Sequence, residues 1–323
     1  MAGKPKVLVT GGAGFIGSHL TEALVASGYE VGVLDNFTTG EESNLAGVLD
    51  KITLHRGDVA DLAFVKSAMD GYGAVFHQAA RVSVPRSLED PLETSRVNVD
   101  GTLNVLVAAK DAAVERLVYA SSSSAYGDTE ELPKKESMEP RPQSPYAVSK
   151  LVAENYCRVF SSVYGLKTAS LRYFNVYGPR QKPGPYSGVI PAFIKKALSG
   201  ERPVIYGDGT NTRDFTHVRD AVRANILCLE KPLRGGEVFN VGSHSRTSMN
   251  ELARLVCRIV GREELEPVYE PPRKGDISHS FADISEIAEA VGYEPSCTID
   301  SGLAETVSWF RSTYTGDGQK GPG

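Results

Sequence analysis

Tyr146 and Lys150 stand four residues apart in SPYAVSK. On a helix that spacing puts both side chains on one face, one turn apart. A phenol beside an ammonium is suited to general-base chemistry, because the positive charge favours phenolate and draws the tyrosine pKa toward the working pH. Ser144 is placed to cap such a helix, and Pro145 suits its first position. Upstream, YASSSSAYG (119–127) carries four consecutive serines. A hydroxyl there can share a hydrogen bond with a substrate and pass its proton to Tyr146. Ser122 is the first choice, while Ser121, Ser123 and Ser124 also read as turn or capping residues. Tyr-x-x-x-Lys alone is a frequent chance match whose plain reading is an amphipathic surface pair. The serine-rich segment before it gives it weight.

A second constellation opens the chain. TGGAGFIG follows the apolar run KVLVT and starts a helical pattern. Of Gly11, Gly14 and Gly17, one permits a tight turn, one lets backbone approach a pyrophosphate, and one lets helix and strand pack closely. The pyrophosphate then sits at the helix N-terminus, where free N–H groups favour anions. Asp35 closes VGVLD. A carboxylate there accepts hydrogen bonds from both ribose hydroxyls of NAD and repels the 2′-phosphate of NADP. Asn36, Phe37 and Thr38 follow it, with no arginine, so NAD is expected over NADP. Asp58 and Val59 close a third strand. An aspartate there can meet an adenine amino group or cap a helix.

The elements that must hold these groups alternate. Strand patterns at 6–10, 31–35, 52–58, 74–80, 116–122 and 168–174 are separated by helix patterns, including 16–27, 94–113 and 145–164. Such alternation means parallel pairing by right-handed crossovers, hence an α/β fold with a doubly wound parallel Rossmann sheet. After Phe174 the pattern breaks into the Pro- and Gly-rich loop YGPRQKPGPYSG and shorter elements near 190–198, 219–229 and 249–260. The expected organisation is an NAD-binding domain over 1–173, with parts of 214–242 returning to it. A smaller α/β substrate-binding domain covers 174–312, and a flexible tail covers 313–323.

Composition narrows the function. The chain has 323 residues, 41% hydrophobic and 23% charged, with a net charge of −5. No basic block marks a nucleic-acid partner, and no apolar run approaches the roughly 20 residues of a membrane span. Residues 1–6 lack the features of a signal peptide. Cys157, Cys228, Cys257 and Cys297 show neither disulfide nor metal spacing, so no metal is expected and free thiols in a cytoplasmic protein are.

TGGAGFIG, Asp58, HQAA, NVDGTLNVL, the serine-rich strand and YAVSK together resemble the extended short-chain dehydrogenases/reductases. RYFNVYGPRQ, YGDGTNTRDFTHVRD and RKGD are similar to the nucleotide-sugar branch. HQAARVSVPRSLEDP and RKGDISHSFAD resemble UDP-glucose and UDP-N-acetylglucosamine 4-epimerases. The resemblance implies further NAD contacts from Phe15, Ile16, Gln78, Ala79, Ala80, Asn98 and Tyr173, beside Asn36, Tyr146 and Lys150. It implies that Asn175, Arg213 and Arg273 meet the nucleotide pyrophosphate, which suits arginine's planar fork. Asp276 would take the ribose hydroxyls, and Val189 and Tyr206 would line the uracil slot. Ser83, Ser122, Ser124 and Tyr146 would meet the sugar, with Ser280 at the position that gates its C2 substituent. It also implies a homodimer through the helices near 94–113 and 145–164.

Within that branch a 4,6-dehydratase carries an Asp-Glu pair where this chain has Ser123 and Ser124, and a UDP-glucuronate decarboxylase carries a glutamate at the Ser124 position. Elimination and decarboxylation therefore lack their proton-transfer groups. The expected function is inversion of C4 of UDP-hexoses, plain and N-acetylated, through a 4-keto sugar with tightly bound NAD. Arg81 and Arg86 keep a UDP-glucuronate 4-epimerase, or another sugar-nucleotide oxidoreductase, as the alternative. A non-catalytic NAD-binding sensor is the alternative from another class.

Overall fold

Apolar runs four to seven residues long supply the strands of the sheet. The computed structural model describes residues 4–184, 188–272 and 277–314. Strands β1 (Val7–Thr10), β2 (Val31–Asp35), β3 (Ile52–Arg56), β4 (Ala74–His77), β5 (Arg116–Ser122) and β6 (Lys167–Tyr173) come from the first half. The second half adds β7 (Val204–Tyr206), β8 (Thr212–Arg213), β9 (Glu237–Val241), β10 (Thr247–Ser248) and β11 (Val268–Glu270). The main sheet runs β3-β2-β1-β4-β5-β6-β9, with every pair parallel. The strand order reverses between β1 and β4. In open α/β sheets the ligand crevice lies outside the carboxyl ends of the strands at such a point.

Helices α1 (Phe15–Ala26), α2 (Leu62–Met69), α3 (Val84–Glu89), α4 (Pro91–Ser95), α5 (Gly101–Asp111), α6 (Pro145–Tyr164), α7 (Val189–Leu198), α8 (Val218–Glu230), α9 (Met249–Val260), α10 (Ser285–Val291) and α11 (Ile299–Tyr314) surround it. Strand side chains alternate between the two faces. Val7, Val9, Val31 and Val33 pack with Leu20 and Leu24 of α1 and with Ala221 and Ala224 of α8. Leu8, Leu34 and Val75 face the other way, onto Val65 of α2, Val105 and Leu106 of α5, and Ala153 and Cys157 of α6. A separate core joins Ile190, Phe193 and Ile194 of α7 to Leu252 and Val256 of α9 and Leu303, Val307 and Phe310 of α11. Thus α8 and β9, late in the chain, complete the first sheet rather than the second core.

The expected uninterrupted helix over 94–113 is not what forms. Arg96–Asp100 is a π-helical segment between α4 and α5. An extra residue per turn leaves the apolar pattern almost intact while shifting the helix phase, so periodicity hides it. The last helix also extends past 312, since Thr313 and Tyr314 belong to α11. All four cysteines are free; Cys157, Cys228 and Cys257 are buried and Cys297 is half-buried.

Candidate active site

The glycine loop is shaped by contact distance. Gly11 has φ +68°, and a Cβ on it would lie 2.6 Å from the Ala79 nitrogen. A Cβ on Gly17 would lie 2.1 Å from the Gly11 carbonyl oxygen. Gly14 is the N-cap of α1, and no side chain caps that helix. Its first N–H groups are therefore available to an anion, which is the fit a dinucleotide pyrophosphate requires. Phe15 and Ile16 begin α1 and pack against the core. Asp35 is buried; one carboxylate oxygen accepts the Ala13 N–H at 2.9 Å and the other the Phe37 N–H at 2.8 Å. Burial raises its pKa, and those backbone bonds oppose the rise. The same carboxylate that is placed for a ribose thus also holds the loop.

Asp58 does not cap α2. That role falls to Asp61, whose Oδ1 accepts the Phe64 N–H at 3.1 Å. Asp58 accepts the Ala60 N–H at 2.9 Å and lies 3.4 Å from Arg96. Val59 is buried beside Gly101. The exposed Asn36 accepts the Thr38 N–H at 3.0 Å. The Gln78 amide donates to Asn225 at 3.0 Å and to Tyr173 at 3.2 Å. Ala79 and Ala80 follow it, half-buried, and the Ala79 N–H donates to Thr10 at 3.3 Å. Buried Asn98, within the π-helical segment, accepts the Arg81 N–H at 2.7 Å and donates to Ser149 at 2.9 Å. It thereby ties the segment after β4 to α6.

Ser144 and Pro145 start α6 as expected: the serine hydroxyl accepts the Ala147 N–H at 3.1 Å and Pro145 takes the first turn. Tyr146 is then carried to the end of β5, where the neighbouring Ser122 hydroxyl opposes the rise that burial imposes on the phenol's pKa. Ser122 also accepts the Ser124 hydroxyl at 2.9 Å and the Ser124 N–H at 3.2 Å. Ser121 points elsewhere, donating to Glu154 at 2.9 Å. Strand alternation thus separates two serines that look alike in sequence.

Lys150 is buried, donates to the Ala120 carbonyl at 2.7 Å and lies 5.0 Å from the Tyr119 ring centre. Burial pulls its own pKa down to about 7. Burial likewise raises the pKa of the Tyr146 phenol, and the nearby Ser122 hydroxyl only partly offsets that rise. Lys150 is thus anchored by a backbone carbonyl of β5 one turn along α6 from Tyr146. His77, beneath the site, bonds Thr10 at 2.6 Å and Thr102 at 2.9 Å; burial holds it neutral, with a pKa of about 3.

The remaining candidates lie on the second lobe and its junction. Asn175, with φ +32°, follows β6 and donates to the Asp214 carbonyl at 3.0 Å. Arg213 on β8 reaches the Thr212 and Ser278 carbonyls at 3.0 and 3.3 Å. Ser280 is buried and its N–H donates to the Thr212 carbonyl at 3.0 Å, so it shares a ridge with Arg213. Tyr206 ends β7, and Val189 begins α7 half-buried. Asp128, just past the serines, accepts the Ser278 N–H at 2.9 Å and so links β5 to that ridge. Ser83 is the N-cap of α3, accepting the Arg86 N–H at 3.2 Å. Arg273 and Asp276 lie outside the described residues. Among the described residues no cluster of metal-ligating side chains exists, and no helix is long and apolar enough to cross a membrane.

A glycine cradle at the switch point of a Rossmann sheet, with a Ser–Tyr–Lys cluster at the end of β5, defines a dinucleotide-dependent enzyme. Residues 7–242 match the NAD dependent epimerase/dehydratase family. The chain belongs to that family, and NAD is its cofactor. A solved UDP-glucose 4-epimerase from Thermus thermophilus, in complex with NAD, is 39% identical; the match covers 95% of this chain and 99% of that one, with a TM-score of 0.87. The UDP-N-acetylglucosamine 4-epimerase of Methanobrevibacter ruminantium, solved with UDP-N-acetylmuramic acid, is 38% identical over 96% and 99% of the two chains, with a TM-score of 0.92. A UDP-N-acetyl-alpha-D-glucosaminuronate decarboxylase from Bacillus cytotoxicus is 35% identical over 95% of this chain and 98% of its own.

Proposed function

We propose that this chain inverts C4 of UDP-hexoses, interconverting UDP-glucose with UDP-galactose and the N-acetylated pair likewise. The observation that carries the reading is the end of β5: Ser122 meets Tyr146, and the residues after it are Ser123 and Ser124, with Ser124 donating to Ser122. Tyr146 takes the proton of the sugar 4-hydroxyl, relayed by Ser122, and must give it back in the same turnover. Bound NAD supplies the acceptor and then the donor of the C4 hydride. No carboxylate stands at 123 or 124 to drive elimination or decarboxylation, so the 4-keto sugar is left to turn over and be reduced on its other face.

Asn175 and Arg213 are assigned the pyrophosphate, Tyr206 and Val189 the uracil. Ser280, buried on the Arg213 ridge, presents a small side chain that leaves room for an N-acetyl group. Arg81 faces Asp90 at 3.5 Å, which favours neutral hexoses over a uronate. Exposed Val148, Val159 and Val163 on α6, with Leu88 and Leu92 on α3 and α4, support pairing of two copies through this face. The four unpaired thiols support a reducing compartment.

The test is to incubate purified protein, without added NAD, separately with UDP-glucose, UDP-N-acetylglucosamine and UDP-glucuronate, and to read C4 epimers by NMR. No epimer from any of them sinks the proposal. Tyr146→Phe should lose about 10²–10⁴-fold in turnover; undiminished turnover would remove Tyr146 as the base.

A further inference from the structure

Behind the Ser–Tyr–Lys cluster lies a charged group that the chemistry does not use. Glu154 and Arg172 are almost wholly buried, at 0% and 1% exposure. Their pairing is two-pronged: Arg172 Nη2 donates to Oε1 at 2.7 Å and Nε donates to Oε2 at 3.0 Å. The Ser121 hydroxyl donates to the same Oε2 at 2.9 Å. On its other side the Arg172 guanidinium lies 4.7 Å from the Tyr126 ring centre, and Tyr126 donates to Asn240 at 2.7 Å.

A buried ion pair is a weak source of stability, because desolvation offsets its attraction and packed apolar residues do as well or better. What it offers is direction. Residues 146, 150 and 154 share one face of α6, a turn apart. Lys150 is fastened to the Ala120 carbonyl and Glu154 to the Ser121 hydroxyl, so two successive residues of β5 hold two successive turns of α6. A helix held at one point can pivot or slide, but one held at two cannot. The next residue of β5 is Ser122 and the preceding turn of α6 carries Tyr146, the pair that must meet. Arg172 adds β6, two residues before the Phe174–Asn175 turn.

We propose that Glu154 is a positioning residue: through Ser121 and Arg172 it sets the placement of α6 on β5 and β6 that brings Tyr146 to Ser122. The proposal rests on the epimerase reading. A positioning role lowers kcat, since misplacement by about 1 Å costs on the order of a hundredfold. It leaves KM nearly unchanged, because the residues assigned to the nucleotide lie on other elements.

The experiment follows UDP-glucose to UDP-galactose conversion in the holoenzyme for three proteins: wild type, Ser121→Ala, and the double variant Glu154→Leu/Arg172→Met. The double variant removes both charges together, so no unpaired ion is left buried and thermal unfolding should stay close to wild type. The expected result is a kcat about tenfold or more below wild type in the double variant and about threefold or more in Ser121→Ala, with KM within about twofold in both. A folded double variant with wild-type kcat overturns the proposal. If the double variant fails to fold, Ser121→Ala decides: unchanged kcat overturns the proposal and a selective kcat loss supports it. A wild-type protein without turnover overturns the epimerase reading and this role with it, whereas active wild type with unaffected variants overturns this role alone.

Discussion

Replacing Lys150 by methionine should destroy turnover and yet strengthen the fold at neutral pH. Lys150 is 3% exposed, and burial lowers its pKa from 10.5 to about 7. The folded protein therefore holds this proton less tightly than the unfolded chain does. Between pH 7 and 10.5 the unfolded chain binds more protons, so stability rises with pH across that window; below pH 7 the penalty stands in full. At about 1.4 kcal/mol per pKa unit, a shift of this size is a penalty of about 5 kcal/mol. Methionine removes the charge, but it also leaves the Ala120 carbonyl without its 2.7 Å partner. An unsatisfied buried acceptor costs about 1–3 kcal/mol. The expected net gain near pH 7 is about 2–4 kcal/mol. Chemical denaturation of NAD-free wild type and Lys150→Met at half-unit steps from pH 6 to 10.5 measures it. The variant's advantage should be largest at pH 6–7 and fade as the wild type gains stability toward pH 10.5. A variant less stable than wild type at pH 7, or a gap that does not change with pH, would refute the reasoning.

Other changes have equally direct outcomes. Alanine at Gly17 would normally favour a helix by about 1 kcal/mol, but here its Cβ would meet the Gly11 carbonyl oxygen at 2.1 Å. Co-purifying NAD, measured after denaturation, should fall at least about tenfold because overpacking must open the loop; full NAD content would show that the loop can give way. Ser144→Ala removes the cap on the Ala147 N–H and should cost about 1 kcal/mol of unfolding free energy in urea titrations. Ser280→Tyr should lose UDP-N-acetylglucosamine epimerisation and keep UDP-galactose as a substrate, read by product NMR; equal loss of both would deny Ser280 a gating role.

Local chemistry made much of this protein readable before its fold was known. The glycine loop, the six early strands, Asp35 at the end of β2 and the Ser144–Pro145 start of α6 follow from short-range rules that tertiary context did not overturn. Contacts across long separations were harder to read. The preference for Ser122 over Ser121 acquires a structural reason only once the strand's facing is known, and Glu154 shows its meaning only once Arg172, on another strand, lies against it. A clue was present, since Glu154 continues the face of Tyr146 and Lys150 by one more turn. The π-helical segment at Arg96–Asp100 escaped because apolar spacing tolerates one extra residue. The burial that lowers the Lys150 pKa is likewise something that the spacing of Tyr146 and Lys150 does not report.

The late arrival of β9 has a consequence for synthesis. Its residues 237–241 cover the outer edge of β6, which ends at Tyr173, and α8 closes the face beside α1. A nascent chain that has just released β6 therefore presents a bare strand edge and an uncovered apolar face. At about 5–20 residues per second the covering strand follows only after several seconds. Through that interval the edge is a template for pairing with another copy. No single cut divides the polypeptide into two self-sufficient halves, and a fragment ending near Tyr173 should associate edge to edge rather than persist as a soluble NAD-binding domain.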